Sequence, residues 1–215
     1  MPRPWDAIGM DIPPVLRRPA DRRDTSGRMA TMSNSYAQPI FRTADLSEGL
    51  RIVEQLLAIA DLRDLEVDFD ARVSSADVLT ALLEVLPRAS WFGEEGTGDS
   101  SEGDDPWAHL PVRLRGFGQP PEKVQPFLNA VGGSPATVRW DFMGWPEAPE
   151  IGLGVGGARG AFVTLCMHVR DLELEEPAPD HTVFVHVKEI EAERAPWLAA
   201  QVGLSVIGDL VMAPD

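Results

Sequence analysis

The chain has one cysteine and no apolar run of the roughly 18 residues that a membrane span requires. Because Cys166 has no partner in the chain, no intrachain disulfide can form, and a reducing cytoplasm is the expected location. The paired arginines near the N-terminus are not followed by an apolar segment, so no export signal is predicted.

Positive charge is also scarce, since 19 lysines and arginines stand against 34 carboxylates and give a net charge of −15. Non-specific nucleic-acid binding depends on basic side chains that neutralise phosphates, and anionic membranes attract basic segments, so neither is an expected partner. A basic protein is a better match for this charge. The negative charge is equally explained if it serves only to keep the protein soluble. It is also typical of proteins from GC-rich bacterial genomes, which would explain why the chain has 17 arginines and only two lysines.

Residues 1–31 differ in composition from the rest of the chain. They carry six arginines and four aspartates, and they lack a sustained hydrophobic period, so they are predicted to be a disordered leader. Two interpretations are open: Met32 is the true start and the leader is not translated, or the leader is a basic arm that docks on the acidic body. Residues 32–215 are expected to form a single domain.

Helical periodicity is clearest after Asp45-Leu-Ser-Glu48, which has the spacing of a capping box. Apolar residues then recur at helical spacing through Ala60. A second helix is predicted to begin at Ser74 or Ser75 and to end near Pro87. Two further helices are predicted over residues 120–131 and 189–200.

Strand-like segments occur on both sides of these helices, and from Thr137 onward the apolar period changes to two. The predicted strands are Leu65–Phe69, Leu110–Arg115 as an edge strand, Val138–Phe142, Ile151–Val155, Ala161–Val169, Thr182–Lys188 and Leu204–Val211. Short turns between consecutive strands favour antiparallel pairing. The predicted fold is α+β, a mostly antiparallel sheet of about five to six strands with three to four helices mainly on one face.

An acidic loop at residues 93–106 is bordered by Trp91 and Trp107. It offers too little apolar area to form a core. Its six carboxylates are Glu94, Glu95, Asp99, Glu102, Asp104 and Asp105. Tryptophan is enriched at interface hot spots, and carboxylates speed the encounter with a basic partner, so these eight residues are the predicted binding site. The alternative is a solvated loop whose indoles anchor its ends to the core.

Two other patterns carry weaker chemical signals. Gly152, Gly154 and Gly157 have the spacing of a dinucleotide-binding loop, but a strand follows them where a helix is needed, so a glycine-rich turn is predicted instead. Cys166 and His168 alternate along one predicted strand and His186 lies on the next, so pairing could place all three on one face as metal ligands. No close-spaced ligand pair accompanies them.

The sequence carries no hydrolase or phosphate-binding motif, and no catalytic residue, cofactor or metal is predicted. The leading hypothesis is a non-enzymatic acidic module that binds a basic protein, with an inhibitor or immunity-type protein against a basic enzyme or toxin as its concrete form. The alternative is a small-ligand or metal-dependent enzyme that uses the sheet face near Cys166, His168 and His186. The sequence does not indicate an oligomeric state.

Overall fold

The computed structural model describes residues 35–93, 105–157 and 161–213. These residues belong to one compact unit, Ser33–Asp215. The predicted leader lies outside the described residues, as do residues 94–104 of the acidic loop.

The described residues form one eight-stranded sheet in which every neighbouring pair is antiparallel. The strands are β1 (Ser35–Thr43), β2 (Glu66–Val73), β3 (Ser90–Gly93), β4 (Val112–Gln119), β5 (Ala136–Asp141), β6 (Phe162–Val169), β7 (Pro177–Lys188) and β8 (Val211–Met212). Their order across the sheet is β3-β4-β2-β5-β6-β7-β1-β8. The predicted α+β class and antiparallel sheet are therefore confirmed, whereas the predicted five to six strands were too few.

Four α-helices occur among the described residues, α1 (Leu46–Leu57), α2 (Ala76–Val85), α3 (Val124–Val131) and α4 (Arg194–Gln201). Asp45 caps α1 as predicted, since its carboxylate accepts a hydrogen bond from the Ser47 amide at 2.9 Å. The reciprocal bond differs from that of a capping box, because the Asp45 amide donates to the Thr43 hydroxyl at 3.1 Å and not to Glu48. The buried stripe of α1 centres on Ile52, Val53 and Leu56. No helix of the described residues is long and apolar enough to cross a membrane.

The main hydrophobic core contains side chains from all four helices and from alternate residues of the central strands. In β2 the odd-numbered residues Val67, Phe69, Ala71 and Val73 are at most 1% exposed, while the residues between them are only half-buried. Helical side chains, including Leu79 of α2, join the same core cluster. This alternation leaves the even-numbered residues of β2 to a second, polar face of the sheet.

Several strand predictions were wrong. The predicted edge strand β4 lies between β3 and β2, and β1 and β3 had not been predicted. The segment 151–155 is not a strand: Pro149–Ile151 forms a 3-10 turn, and isolated bridges follow it. The predicted last strand is reduced to β8, since most of 204–210 has no regular structure. The predicted glycine-rich turn between two strands was wrong in its first strand, and among the described residues no α-helix lies between Pro149–Ile151 and β6.

A buried arginine organises that glycine-rich segment. Arg194 is 0% exposed, and its guanidinium donates hydrogen bonds to the carbonyls of Pro146 (2.6 Å) and Gly154 (2.7 Å). Its Nε donates to the Glu191 carboxylate at 2.9 Å. These bonds satisfy the buried guanidinium and fix the segment against α4.

Candidate functional site

Trp107 lies at the end of the acidic loop, in a 3-10 turn spanning Pro106–His109. Asp105 caps this turn, since its carboxylate accepts a hydrogen bond from the Trp107 amide at 3.1 Å. The indole is 43% exposed, and its Nε1 donates to the Thr80 hydroxyl at 3.2 Å. Thr80 in turn donates to the Ala76 carbonyl of its own helix at 2.8 Å. Trp107 is therefore exposed and also held in one orientation.

The helix face beneath this indole is acidic. Asp77, Thr80 and Glu84 are exposed on α2, and their spacing of three and four residues places them on one face. Helix α2 contains no lysine or arginine. Together with Asp105 these residues form what we call the Trp107 surface: Asp77, Thr80, Glu84, Asp105 and Trp107.

Trp91 occupies a different environment from Trp107. It lies in β3 and is 9% exposed, and its ring stacks on His109 with centroids 5.5 Å apart. The indole thus packs mainly against the core and ties the 3-10 turn to the sheet. Glu94, Glu95, Asp99, Glu102 and Asp104 lie outside the described residues. The described flanks of the acidic loop are Gly93 at the end of β3 and Asp105.

A second acidic segment, which contains Asp171 and Glu173, lies near β3, the strand that precedes this loop. Glu173 accepts a hydrogen bond from Arg113 of β4 at 3.4 Å. Arg113 is paired in register with Phe92, the penultimate residue of β3. The Asp171 carboxylate is engaged in its own turn, where it accepts from the amides of Glu173 and Glu176 at 2.7 and 2.6 Å.

The three side chains of the alternative metal-site hypothesis, Cys166, His168 and His186, are not brought together. In the register of β6 and β7, His186 faces Phe162, whereas Cys166 faces Thr182, four residues away along each strand. His168 lies at an irregularity with φ of +55°, and its ring contacts His181 at 4.8 Å between centroids. Among the described residues no three His, Cys, Asp or Glu side chains form a group able to hold a metal ion.

Burial also affects the chemistry of these side chains. Cys166 is 0% exposed, and burial raises the pKa of its thiol well above the usual value, which disfavours the nucleophilic thiolate. Burial, with a smaller contribution from Arg139, lowers the pKa of His186 to about 3. His186 is therefore neutral at physiological pH, and one of its ring nitrogens lies 2.8 Å from the Thr164 hydroxyl.

The polar face of the sheet carries a charged cluster that the sequence analysis missed. Asp70 of β2 accepts hydrogen bonds from Arg113 at 2.8 Å and Arg115 at 2.7 Å, both on β4. Asp68 accepts from Arg139 of β5 at 2.6 Å. The cluster lines a cleft with about 60 Å³ of water-accessible space, together with Thr137, Thr164, Leu172, His186, Phe69 and Phe117. We call it the arginine cleft.

Alternation in the sequence is the signal that would have identified this cluster. Asp68 and Asp70 alternate with core residues in β2, as Arg113 and Arg115 do in β4. Such alternation predicts one polar face for each strand. The strand order β4-β2-β5, which brings the arginines beside the aspartates, cannot be read from any of the three segments alone.

No protein-family model matches the chain, and neither does any curated protein or solved structure.

Proposed function

We propose that this protein is a non-enzymatic acidic module that binds a basic protein through the Trp107 surface. The single observation that carries the proposal is the indole of Trp107, which is 43% exposed yet oriented by its hydrogen bond to Thr80. An indole ordered before binding loses little conformational entropy on association, and large aromatic side chains dominate interface energetics.

Charge supports a basic partner over an acidic one. Asp77 and Glu84 lie on the helix face on either side of Thr80, and Asp105 begins the turn that carries Trp107. Carboxylates around an aromatic anchor repel acidic proteins and increase the association rate of basic ones.

The arrangement of the fold also supports a surface of this kind. The sequence predicts helices mainly on one face of the sheet, and side chains from all four helices join the main core cluster. In this arrangement α2 presents its polar face, with Asp77, Thr80 and Glu84, away from the core. The concrete form of the proposal is a cytoplasmic inhibitor or immunity-type protein that covers a cationic site on a basic enzyme or toxin.

The test compares capture of host proteins by the full chain and by variants of the Trp107 surface. We expect the wild type to retain a basic protein that 0.5 M salt releases, because exposed charge pairs are screened at high ionic strength. Trp107→Ala should weaken that complex by about 30-fold, the loss typical of an aromatic hot spot. Asp77→Asn with Glu84→Gln should mainly slow association.

A charge-matched control separates this surface from net acidity. Glu54→Gln with Glu150→Gln removes two exposed carboxylates from α1 and from the turn at Pro149–Ile151. We expect this control to bind as the wild type does. Equal losses in both double variants would show that net charge alone drives binding, and unchanged binding by Trp107→Ala would refute the proposed anchor.

A further inference from the structure

Two buried donors on the walls of the arginine cleft have no hydrogen-bond partner. They are Nε of Arg139 and, in the tautomer where Thr164 donates to Nε2 of His186, Nδ1 of His186. His186 is only 2% exposed, and both side chains line the cleft. Buried polar groups in native proteins are nearly always satisfied by protein, water or an ion, so each of these atoms requires an acceptor.

The carboxylates of the cleft are already engaged. Asp70 binds two guanidinium groups, and Asp68 accepts from Arg139 and from the Gly118 amide at 2.8 Å. These acids therefore have little capacity left for a cation. They also fix the three arginines in place, because each guanidinium is held by at least one charge-assisted hydrogen bond.

The guanidinium groups, in contrast, retain unused donors. Each carries five N–H groups, and Arg115 uses only Nε in hydrogen bonds to the described residues. Arg113 uses Nε and Nη1, and Arg139 uses Nη2. Among the residues that line the cleft, three arginines face two aspartates, so the lining has a net charge of +1 in a protein whose total charge is −15.

We propose that the arginine cleft is a binding site for a small oxyanion, a free phosphate or the carboxylate of a small metabolite. The planar guanidinium group presents paired N–H donors that match two oxygens of a carboxylate or a phosphate. The cleft volume of about 60 Å³ exceeds what one water needs and suits a single polyatomic ion. Leu172 and Phe117, which is 57% exposed, also line the cleft.

This site is distinct from the Trp107 surface. Asp68 and Asp70 are even-numbered residues of β2, whereas the odd-numbered residues pack in the same core cluster as Leu79 and Leu82 of α2. The cleft and α2 thus lie on opposite faces of this strand. Either proposal can fail without affecting the other.

The test is an NMR titration of the full ¹⁵N-labelled chain that follows the arginine Nε–H signals. Sodium phosphate, sodium acetate and sodium chloride are added in separate series at matched ionic strength. We expect a saturable shift of the Arg139 signal with phosphate or acetate and none with chloride. The two oxyanion series distinguish a phosphate site from a carboxylate site.

Arg115→Gln should weaken the saturable binding at least about tenfold, because it removes two charged donors at once. Arg51→Gln is the matched control, since Arg51 is exposed on α1 and contacts only Gln55 at 3.4 Å among the described residues. If Arg115→Gln is poorly folded by circular dichroism, Arg115→Lys keeps the charge and should still bind several-fold more weakly. Linear shifts in all three series, or equal effects of the Arg51 and Arg115 variants, would overturn the proposal.

Discussion

Arg194 donates a hydrogen bond from Nη2 to the backbone carbonyl of Gly154 at 2.7 Å, although the two residues are 40 positions apart. With the bonds to Pro146 and Glu191, each of the three guanidinium nitrogens of this 0% exposed side chain donates a hydrogen bond. This single side chain therefore couples α4 to the glycine-rich segment before β6.

Arg194→Ala should lower the free energy of unfolding by about 3 kcal/mol, because it removes a fully buried guanidinium and leaves the Pro146 and Gly154 carbonyls and the Glu191 carboxylate without their donor. Urea denaturation at neutral pH measures the change. Arg51→Ala, at an exposed position of α1, should change stability by less than about 0.5 kcal/mol. Similar losses for the two variants would show that Arg194 contributes no more than a surface arginine.

Asp45→Ala should lower the free energy of unfolding by about 1 kcal/mol, since it removes the acceptor for the Ser47 amide at the first turn of α1. Asp45→Asn is the matched variant, because an asparagine oxygen still accepts this hydrogen bond. Chemical denaturation of both variants gives the comparison. Equal destabilisation by Ala and Asn would mean that charge, and not the capping bond, matters at this position.

The cap at Asp45 illustrates what local sequence predicts well. The capping residue, the apolar period and the helix that they predict all lie within residues 45–60. The sequence therefore predicted α1 without knowledge of the rest of the fold. Strand β1 was missed because it contains Pro39 and has a continuous buried run, Ala37–Ile40, instead of alternation. Its partners, β7 and β8, follow more than 130 residues later in the chain.

The candidate sites, like β1, could not be predicted where they depend on residues that are distant in the sequence. The sequence treated Trp91 and Trp107 alike, as the two borders of the acidic loop, whereas the structure exposes Trp107 and buries Trp91. The burial of Trp91 depends on pairing of β3 with β4 and on stacking with His109, neither of which has a local signature. The arginine cleft requires three strands in the order β4-β2-β5, which only the assembled sheet provides.

Asp141 gives the protein a specific pH dependence. Burial raises the pKa of this carboxyl from 3.8 to about 6; Asp68 and Glu66 add to the increase, and Arg139 opposes it. The folded state thus holds a proton that the unfolded chain releases, so the stabilisation is complete below about pH 4 and is lost as the pH rises through about 6.

Asp141→Asn should remove this loss. We expect the variant to be about 1 to 2 kcal/mol more stable than the wild type at pH 7, with the difference shrinking towards pH 4. Urea denaturation at intervals between pH 4 and pH 8 measures it. Asp209→Asn removes the same charge at an exposed position and should follow the wild-type profile. A constant offset between Asp141→Asn and the wild type at every pH would contradict the assignment.

Gly144 provides the sharpest steric test of the glycine-rich segment. A Cβ at this position would lie 2.0 Å from the backbone carbonyl oxygen of Gly156, so the bridge between Trp145 and Gly156 would have to separate. Gly144→Ala should therefore cost about 3 kcal/mol or more, since backbone cannot shift as a flexible side chain can.

Gly133→Ala is the matched control for Gly144→Ala, because a Cβ at Gly133 meets nothing within 4 Å. We expect that control to change stability by less than about 1 kcal/mol, and to raise it if the unfolded chain loses entropy. Thermal unfolding of both variants tests the pair, and a Gly144→Ala protein as stable as Gly133→Ala would show that the close approach of Gly144 and Gly156 is not maintained in solution.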